Sequence, residues 1–200
     1  MAVPPPSPDH HPPAPSDKAT LRAHLRRARR AFVEAFSPTD RAAALASIDR
    51  HLAPLIARDG PIAGYVGHRG EADIMPFLLK AFHGGQEVAL PHVAKGSDRM
   101  RFTAWHPDAP LTPGLAGILQ PEAIEREIVP AIILAPLIGF DRTGRRLGQG
   151  GGFYDRWFAE HPAAMRIGIA WSVQEVAAIT PEPWDVPLHA IVTEKEWIAP

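Results

Sequence analysis

Apolar side chains recur at Leu21, Leu25, Ala28 and Phe32, a step of three to four residues that predicts a helix over residues 18–36 with one buried stripe. Ser16 or Asp17 is placed to cap it. Lys18, Arg22 and Arg26 step by four along the same segment and share a face. Ser37, Pro38, Thr39 and Asp40 then break the chain and cap a second helix, carried by Ala43, Leu45, Ile48 and Leu52 and stopped by Gly60 and Pro61. After that the pattern alternates. Residues 62–66 read as a strand, 73–82 as a helix, 87–90 as a strand ending at Pro91, and 100–105 as a further strand. A turn-rich stretch holding Pro107, Pro110, Pro113 and Pro121 leads to an apolar strand at 131–135, a short helix at 154–160, and strands at 166–170 and 190–192. Strands alternating with helices predict an α/β layered fold with a largely parallel sheet. In such sheets ligands sit beyond the carboxyl ends of the strands, which selects the loops at 67–73, 91–98 and 139–155.

Composition narrows the chemistry. Zero cysteine among 200 residues excludes disulfides, thiol nucleophiles, iron–sulfur clusters and thiolate zinc sites. With 22 acidic and 21 basic residues the formal charge is -1, so no whole-protein field draws nucleic acid or membrane, and neither partner is expected. Of the 23 prolines, seven fall in the first 15 residues. Residues 1–15 therefore read as a mobile, polyproline-biased tail and residues 16–200 as one domain. His10 and His11 in that tail read as inert. No basic and then apolar leader follows Met1, which makes the cytoplasm the expected address. The longest apolar run, residues 128–140, is interrupted by Pro130 and Pro136 and is too short to span a bilayer.

Six of the 21 basic residues lie in the first helix: Lys18, Arg22, Arg26, Arg27, Arg29 and Arg30. For Arg27, Arg29 and Arg30 the expectation is a solvated helix surface. The densest chemistry lies later, where Gly148, Gly150, Gly151 and Gly152 leave backbone N–H groups uncovered just ahead of a helix. That arrangement suits phosphate, held by amide donors and the positive end of the helix dipole. Arg145 and Arg146 add donors for a polyphosphate, and Asp155 is an oxygen ligand suited to Mg²⁺ riding on it. No Gly-Lys-Ser/Thr follows the glycines, and their spacing misses the dinucleotide fingerprint. A plain glycine turn with solvent-facing arginines is the alternative reading.

The run Phe140-Asp141-x-x-Gly144-x-Arg146-Leu147-Gly148-x-Gly150-x-Gly152-Phe153-Tyr154-Asp155 closely resembles the signature of the 5-formyltetrahydrofolate cyclo-ligase family. The resemblance extends in order over residues 18–194. It takes in Lys18 to Arg22, Gly70-Glu71-Ala72-Asp73, Val88 to Pro91, Gly117 to Pro121 and Trp184-Asp185-Val186-Pro187. It implies a three-layer, Rossmann-like α/β fold with an N-terminal helical pair, acting as a monomer on a small-molecule folate. It also implies ATP- and Mg²⁺-dependent conversion of 5-formyltetrahydrofolate to 5,10-methenyltetrahydrofolate, releasing ADP and phosphate. The N-formyl oxygen is a poor leaving group as oxide; phosphorylation gives an iminium phosphate that N10 can attack.

Carried over residue by residue, the resemblance sets ATP against Lys18, Ala19, Thr20, Leu21 and Arg22, and against Arg145, Arg146, Leu147, Gly148, Gln149, Gly150, Gly151, Gly152, Phe153 and Tyr154. Folate is expected at His68, Glu71 and Asp73 and along Gln149 to Phe153. Asp155 and Asp185 match the Mg²⁺ carboxylates, and Arg146, Tyr154 and Asp155 are the expected catalytic set. Trp105 is left to the core. The chain departs from the family pattern at His189, where a second acid often stands, and at Ile74 in place of threonine. Together with His68, those departures motivate a competing reading, a non-catalytic or repurposed ATP-binding relative. An RNA- or partner-binding module built on the Arg26–Arg30 cluster and the proline-rich tail is a third and weaker one.

Overall fold

The computed structural model describes residues 18–200; the expected tail and the expected caps Ser16 and Asp17 lie outside the described residues. Helix α1 (Lys18–Glu34) buries Leu21, Leu25 and Arg29. Helix α2 (Pro38–Leu52) starts where expected: the Ser37 hydroxyl oxygen accepts from the Asp40 backbone N–H at 3.1 Å, and Pro38 sets the first turn. There follow β1 (Ile62–Ala63), α3 (Met75–His83), β2 (Val88–His92), β3 (Arg101–Ala104), β4 (Leu111–Pro113), β5 (Leu119–Pro121), β6 (Glu127–Ile128) and β7 (Ile132–Pro136). The chain closes with β8 (Gly139–Phe140), β9 (Arg146–Leu147), α4 (Phe153–Glu160), β10 (Met165–Ile169), β11 (Ala190–Val192) and β12 (Trp197–Ile198).

Among the described residues eight strands form one sheet in the order β12-β11-β10-β7-β1-β2-β3-β6. The five from β11 to β2 run parallel, while β12, β3 and β6 are antiparallel additions at the borders. The period of two along β7 builds the layers. Ile132 and Leu134 face a core with Ile48 and Leu52 of α2 and Phe77 and Leu78 of α3. Ile133 and Ala135 face the opposite core, with Trp157 and Phe158 of α4. Each of the Ile, Leu and Phe side chains among these, fully buried, contributes about 1.5–3 kcal/mol. The result is the expected three-layer α/β fold.

One smaller cluster matters for function. Leu21 and Leu25 of α1 pack on Ile138, Leu147 and Ile179. A Cβ on Gly139 would lie 2.4 Å from Leu25 Cδ1, so only glycine lets the helix approach this closely. The β8–β9 hairpin and the start of α1 are thereby locked together.

Two expectations shift. The strand expected at 62–66 ends at Ala63, because the chain turns away and the Tyr65 hydroxyl donates to Ala72 O at 2.8 Å within the following loop. Strand β2 runs through Pro91 to His92 rather than stopping at proline. Its parallel neighbour β1 pairs only with Val88 and Ala89, so Pro91 lies where just one partner, β3, remains. In the proline-rich stretch, Pro113 and Pro121 belong to the β4–β5 ribbon, not to turns alone.

Candidate active site

Helix α1 faces the site with a row of cations, and each meets a different loop. Lys18 Nζ lies 3.1 Å from Asp185 Oδ2 and 3.5 Å from Glu182 Oε1. Arg22 Nε donates to Gly148 O at 2.9 Å, and Arg26 Nη2 to Gln149 Oε1 at 2.7 Å. Arg29, expected on the solvated surface, is instead 3 % exposed. Its Nη1 is 3.5 Å from Glu71 Oε1 and its Nη2 donates to Arg69 O at 3.1 Å. The signal was in the sequence, since 18, 22, 26 and 29 share one helical face.

The glycine loop lies between α1 and α4. Gly150 (φ +105°) and Gly152 (φ +66°) occupy the left-handed region that side chains resist, and Gly152 is the cap of α4. A Cβ on Gly150 would look onto the Arg22 guanidinium at 3.8 Å. Among the described residues no backbone carbonyl accepts the N–H groups of residues 148–152. The loop is therefore open to an anion at the helix start and has arginine beside it. Arg156 braces it from behind: Nη2 donates to Gly151 O at 2.9 Å and to Asp98 O at 2.6 Å, tying the 91–98 loop to the glycines. At the other end of that loop, the Gln120 amide accepts from Val93 N and donates to Val93 O. Neither Arg156 nor Gln120 has a role that the sequence pattern predicts.

Behind the loop stands a buried ion pair. Arg146 Nη2 lies 2.8 Å from Asp155 Oδ1, with side-chain exposures of 5 % and 19 %. Arg146 Nη1 donates to Val186 O at 2.8 Å, and its guanidinium sits 5.0 Å from the Phe158 ring centroid. Val186 N in turn donates to Asp155 Oδ1 at 3.2 Å, which brings the Asp185 segment against α4. The bonds to Asp155 converge on Oδ1, and those to Asp185, from Lys18 and Glu182 N, converge on Oδ2. Among the described residues no group of three or more His, Asp or Glu side chains can hold a metal unaided. Two carboxylates, each engaged through a single oxygen, do fit Mg²⁺, which takes one or two protein ligands and fills its shell from phosphate and water.

The other expected residues divide. Leu21 and Leu147 are core side chains, Ala19 and Thr20 lie on the exposed side of the first turn, and Arg145 is exposed. Asp141, part of the motif but given no role, is 1 % exposed and holds the hairpin through Thr143, Arg145 N and Ile179 N. The His189 ring faces Arg166, and burial together with that cation lowers its pKa.

In the 67–73 loop, Asp73 is exposed, and its Oδ1 accepts from Met75 N at 3.0 Å at the start of α3. Glu71 Oε2 accepts from His68 N at 3.1 Å, and its carboxyl also meets Arg29 and the Gln149 side chain. Burial raises the Glu71 pKa, against the opposing pull of Arg29. His68 is held below its usual range by burial and by the Arg69 and Arg29 charges, and its buried Nε2 has no partner among the described residues. The Tyr154 hydroxyl is pushed up by burial and by Glu71, and Phe153 packs half-buried under the Arg156 guanidinium. Glu71, Gln149 and Arg26 thus connect the 67–73 loop with the glycine loop.

Residues 14–194 match the model of the 5-formyltetrahydrofolate cyclo-ligase family. The chain is 32% identical over 152 residues to the 5-formyltetrahydrofolate cyclo-ligase of Escherichia coli (strain K12), covering 72% of this chain and 84% of that protein. The protein of the same name from Haemophilus influenzae is 31% identical over 138 residues, 66% of this chain and 74% of its own. Among solved structures, the Aquifex aeolicus 5,10-methenyltetrahydrofolate synthetase superposes with a TM-score of 0.75 at 27% identity, covering 91% of this chain and 92% of that one.

Proposed function

The chain belongs to the 5-formyltetrahydrofolate cyclo-ligase family, and from that premise we propose that it converts 5-formyltetrahydrofolate to 5,10-methenyltetrahydrofolate at the expense of ATP, releasing ADP and phosphate. The observation that carries this reading is the open glycine loop at the start of α4, with Arg22 against it, Lys18 paired to Asp185, and Asp155 in the first turn of the helix.

The triphosphate lies against the N–H groups of residues 148–152, with Lys18 and Arg22 turning from Asp185 and Gly148 O to its oxygens. Asp155 and Asp185 would hold Mg²⁺, which when bound would supply charge neutralisation on the phosphates. Folate lies toward the 67–73 loop, where His68, Glu71 and Asp73 face its polar edge and Gln149 to Phe153 close the other side. The γ-phosphoryl group passes to the N-formyl oxygen, N10 attacks the formyl carbon, the C–O bond breaks with departure of phosphate, and N10 gives up its proton. Each step asks the protein for positioning and charge stabilisation rather than a nucleophile, in keeping with a site built of arginine, glycine and backbone amides. Arg146 holds Asp155 in place; Tyr154, between Glu71 and Arg146, orients the bound groups.

The test is direct. Purified protein, 5-formyltetrahydrofolate, ATP and Mg²⁺ are mixed and the absorbance of methenyltetrahydrofolate is followed. ATP binding without product sinks the enzyme reading and leaves a nucleotide-binding relative. We also take residues 16–200 to be the working unit, so removal of residues 1–15 leaves turnover unchanged.

A further inference from the structure

Arg29 is the only guanidinium of α1 that the fold buries, and its surroundings explain why. The 67–73 loop passes through two successive residues in the left-handed region, Arg69 at φ +49° and Gly70 at φ +81°. Glycine adopts this readily; arginine does not, and such a residue persists only where its neighbours over-determine it. Here they do. Arg29 Nη2 donates to Arg69 O at 3.1 Å, and the indole N–H of Trp171, a fully buried side chain, donates to Gly70 O at 2.9 Å. The turn closes on itself, with Glu71 N donating to His68 O at 3.2 Å and Glu71 Oε2 accepting from His68 N at 3.1 Å. Arg29 completes the frame by lying beside Glu71 Oε1. One buried side chain thus holds both the strained carbonyl and the carboxylate that fastens the turn.

We infer that Arg29 is a positioning residue, which presets the 68–71 turn for the folate and joins that turn to the helix whose other cations face the glycine loop. This rests on the folate reading of the site. Two features point to ligand binding rather than mere support. The His68 Nε2 that this turn presents is buried and without a partner among the described residues. Glu71 also meets Gln149 of the glycine loop, so the turn borders both halves of the site. A preset loop spares the ligand the cost of ordering it.

The test uses R29M, R29K and the double variant R29M/E71Q in the full chain, with two readouts. Hydrogen exchange of the His68 and Glu71 amides in the unliganded protein reads the turn itself. All three variants should lose protection there by about ten-fold or more, the worth of a charge-assisted hydrogen bond, while α3 amides stay protected. R29K keeps the charge without the fork, and it reports even where R29M folds poorly. Steady-state kinetics then read the consequence: KM for 5-formyltetrahydrofolate rises about ten-fold and KM for ATP stays within about two-fold. The double variant, freed of an unpaired buried charge, should recover thermal stability without recovering that KM. Recovery of both would reduce Arg29 to a counter-ion for Glu71 and overturn the inference, as would unchanged amide protection in R29K. A wild-type protein that forms no product refutes the cyclo-ligase reading by itself, and the role in folate binding with it, while the exchange data still decide whether Arg29 pins the turn.

Discussion

Asp155→Asn separates the structural from the chemical work of the site. The substitution keeps the shape and an acceptor for Val186 N, and removes the charge that faces Arg146 across 2.8 Å. Arg146 is left with a side chain 5 % exposed and no counter-charge. Breaking a fully buried pair costs about 3–5 kcal/mol; with Asp155 partly open to solvent and the amide oxygen still able to accept, about 2 kcal/mol is expected. For a chain of this size that is a fall in Tm of about 4–8 °C. Arg146→Met also strips Val186 O of its donor and should cost about 3 kcal/mol. Because the pair is largely buried, substitution at Arg146 costs stability as well as activity. The double variant Arg146→Met/Asp155→Asn removes both charges and should be clearly more stable than the two single costs predict, by about 1 kcal/mol or more. Thermal unfolding without ligands, followed by initial rates at saturating ATP, completes the cycle. Activity should be lost in all three. Additive stability costs, or a D155N protein with wild-type Tm and turnover, would refute the reasoning.

Other outcomes follow from the same geometry. Gly150→Ala forces a side chain to φ +105° beside Arg22, costing about 1–2 kcal/mol and raising KM for ATP more than KM for folate; equal effects on the two would place the nucleotide elsewhere. Removing Mg²⁺ with a chelator should abolish turnover yet leave the Tm of the unliganded protein unchanged, because Lys18 and Arg146 already face the carboxylates; a shifted Tm would reveal a resident metal. His189 has its pKa lowered in the fold, so as pH falls the unfolded chain takes up the proton first. Its contribution is complete above about pH 6.5 and declines below that, so Tm should drop from pH 7 to pH 5 less steeply in H189Q than in wild type. An identical slope would show that His189 does not titrate differently in the fold.

The elements with a strong period were legible in the sequence. Helices α1 and α2 follow from their apolar spacing and from Ser37, and β7, β10 and β11 from runs of branched residues between breakers. What stayed hidden depends on partners distant in the chain. Strand β2 continues through Pro91 only because β3 returns beside it, and the β4–β5 ribbon forms among prolines that locally signal turns. The glycine loop announced itself, since few purposes require so many glycines before a helix. Arg29 was legible only in part: it shares the helical face of Lys18, Arg22 and Arg26, but that spacing does not tell burial from solvation until the loop that carries Arg69 and Glu71 is laid across it. The same holds for Asp155, whose neighbour Arg146 is close in sequence but whose second partner, Val186 N, is 31 residues away.

The borders of the main sheet bear on how the chain behaves in company. Both outermost strands, β6 and β12, are two residues long. An approaching strand from another molecule would find too few unpaired amides and carbonyls in register to hold it, and at β6 it would meet the exposed carboxylate of Glu127. Brevity at the rim discourages edge-to-edge stacking into fibres.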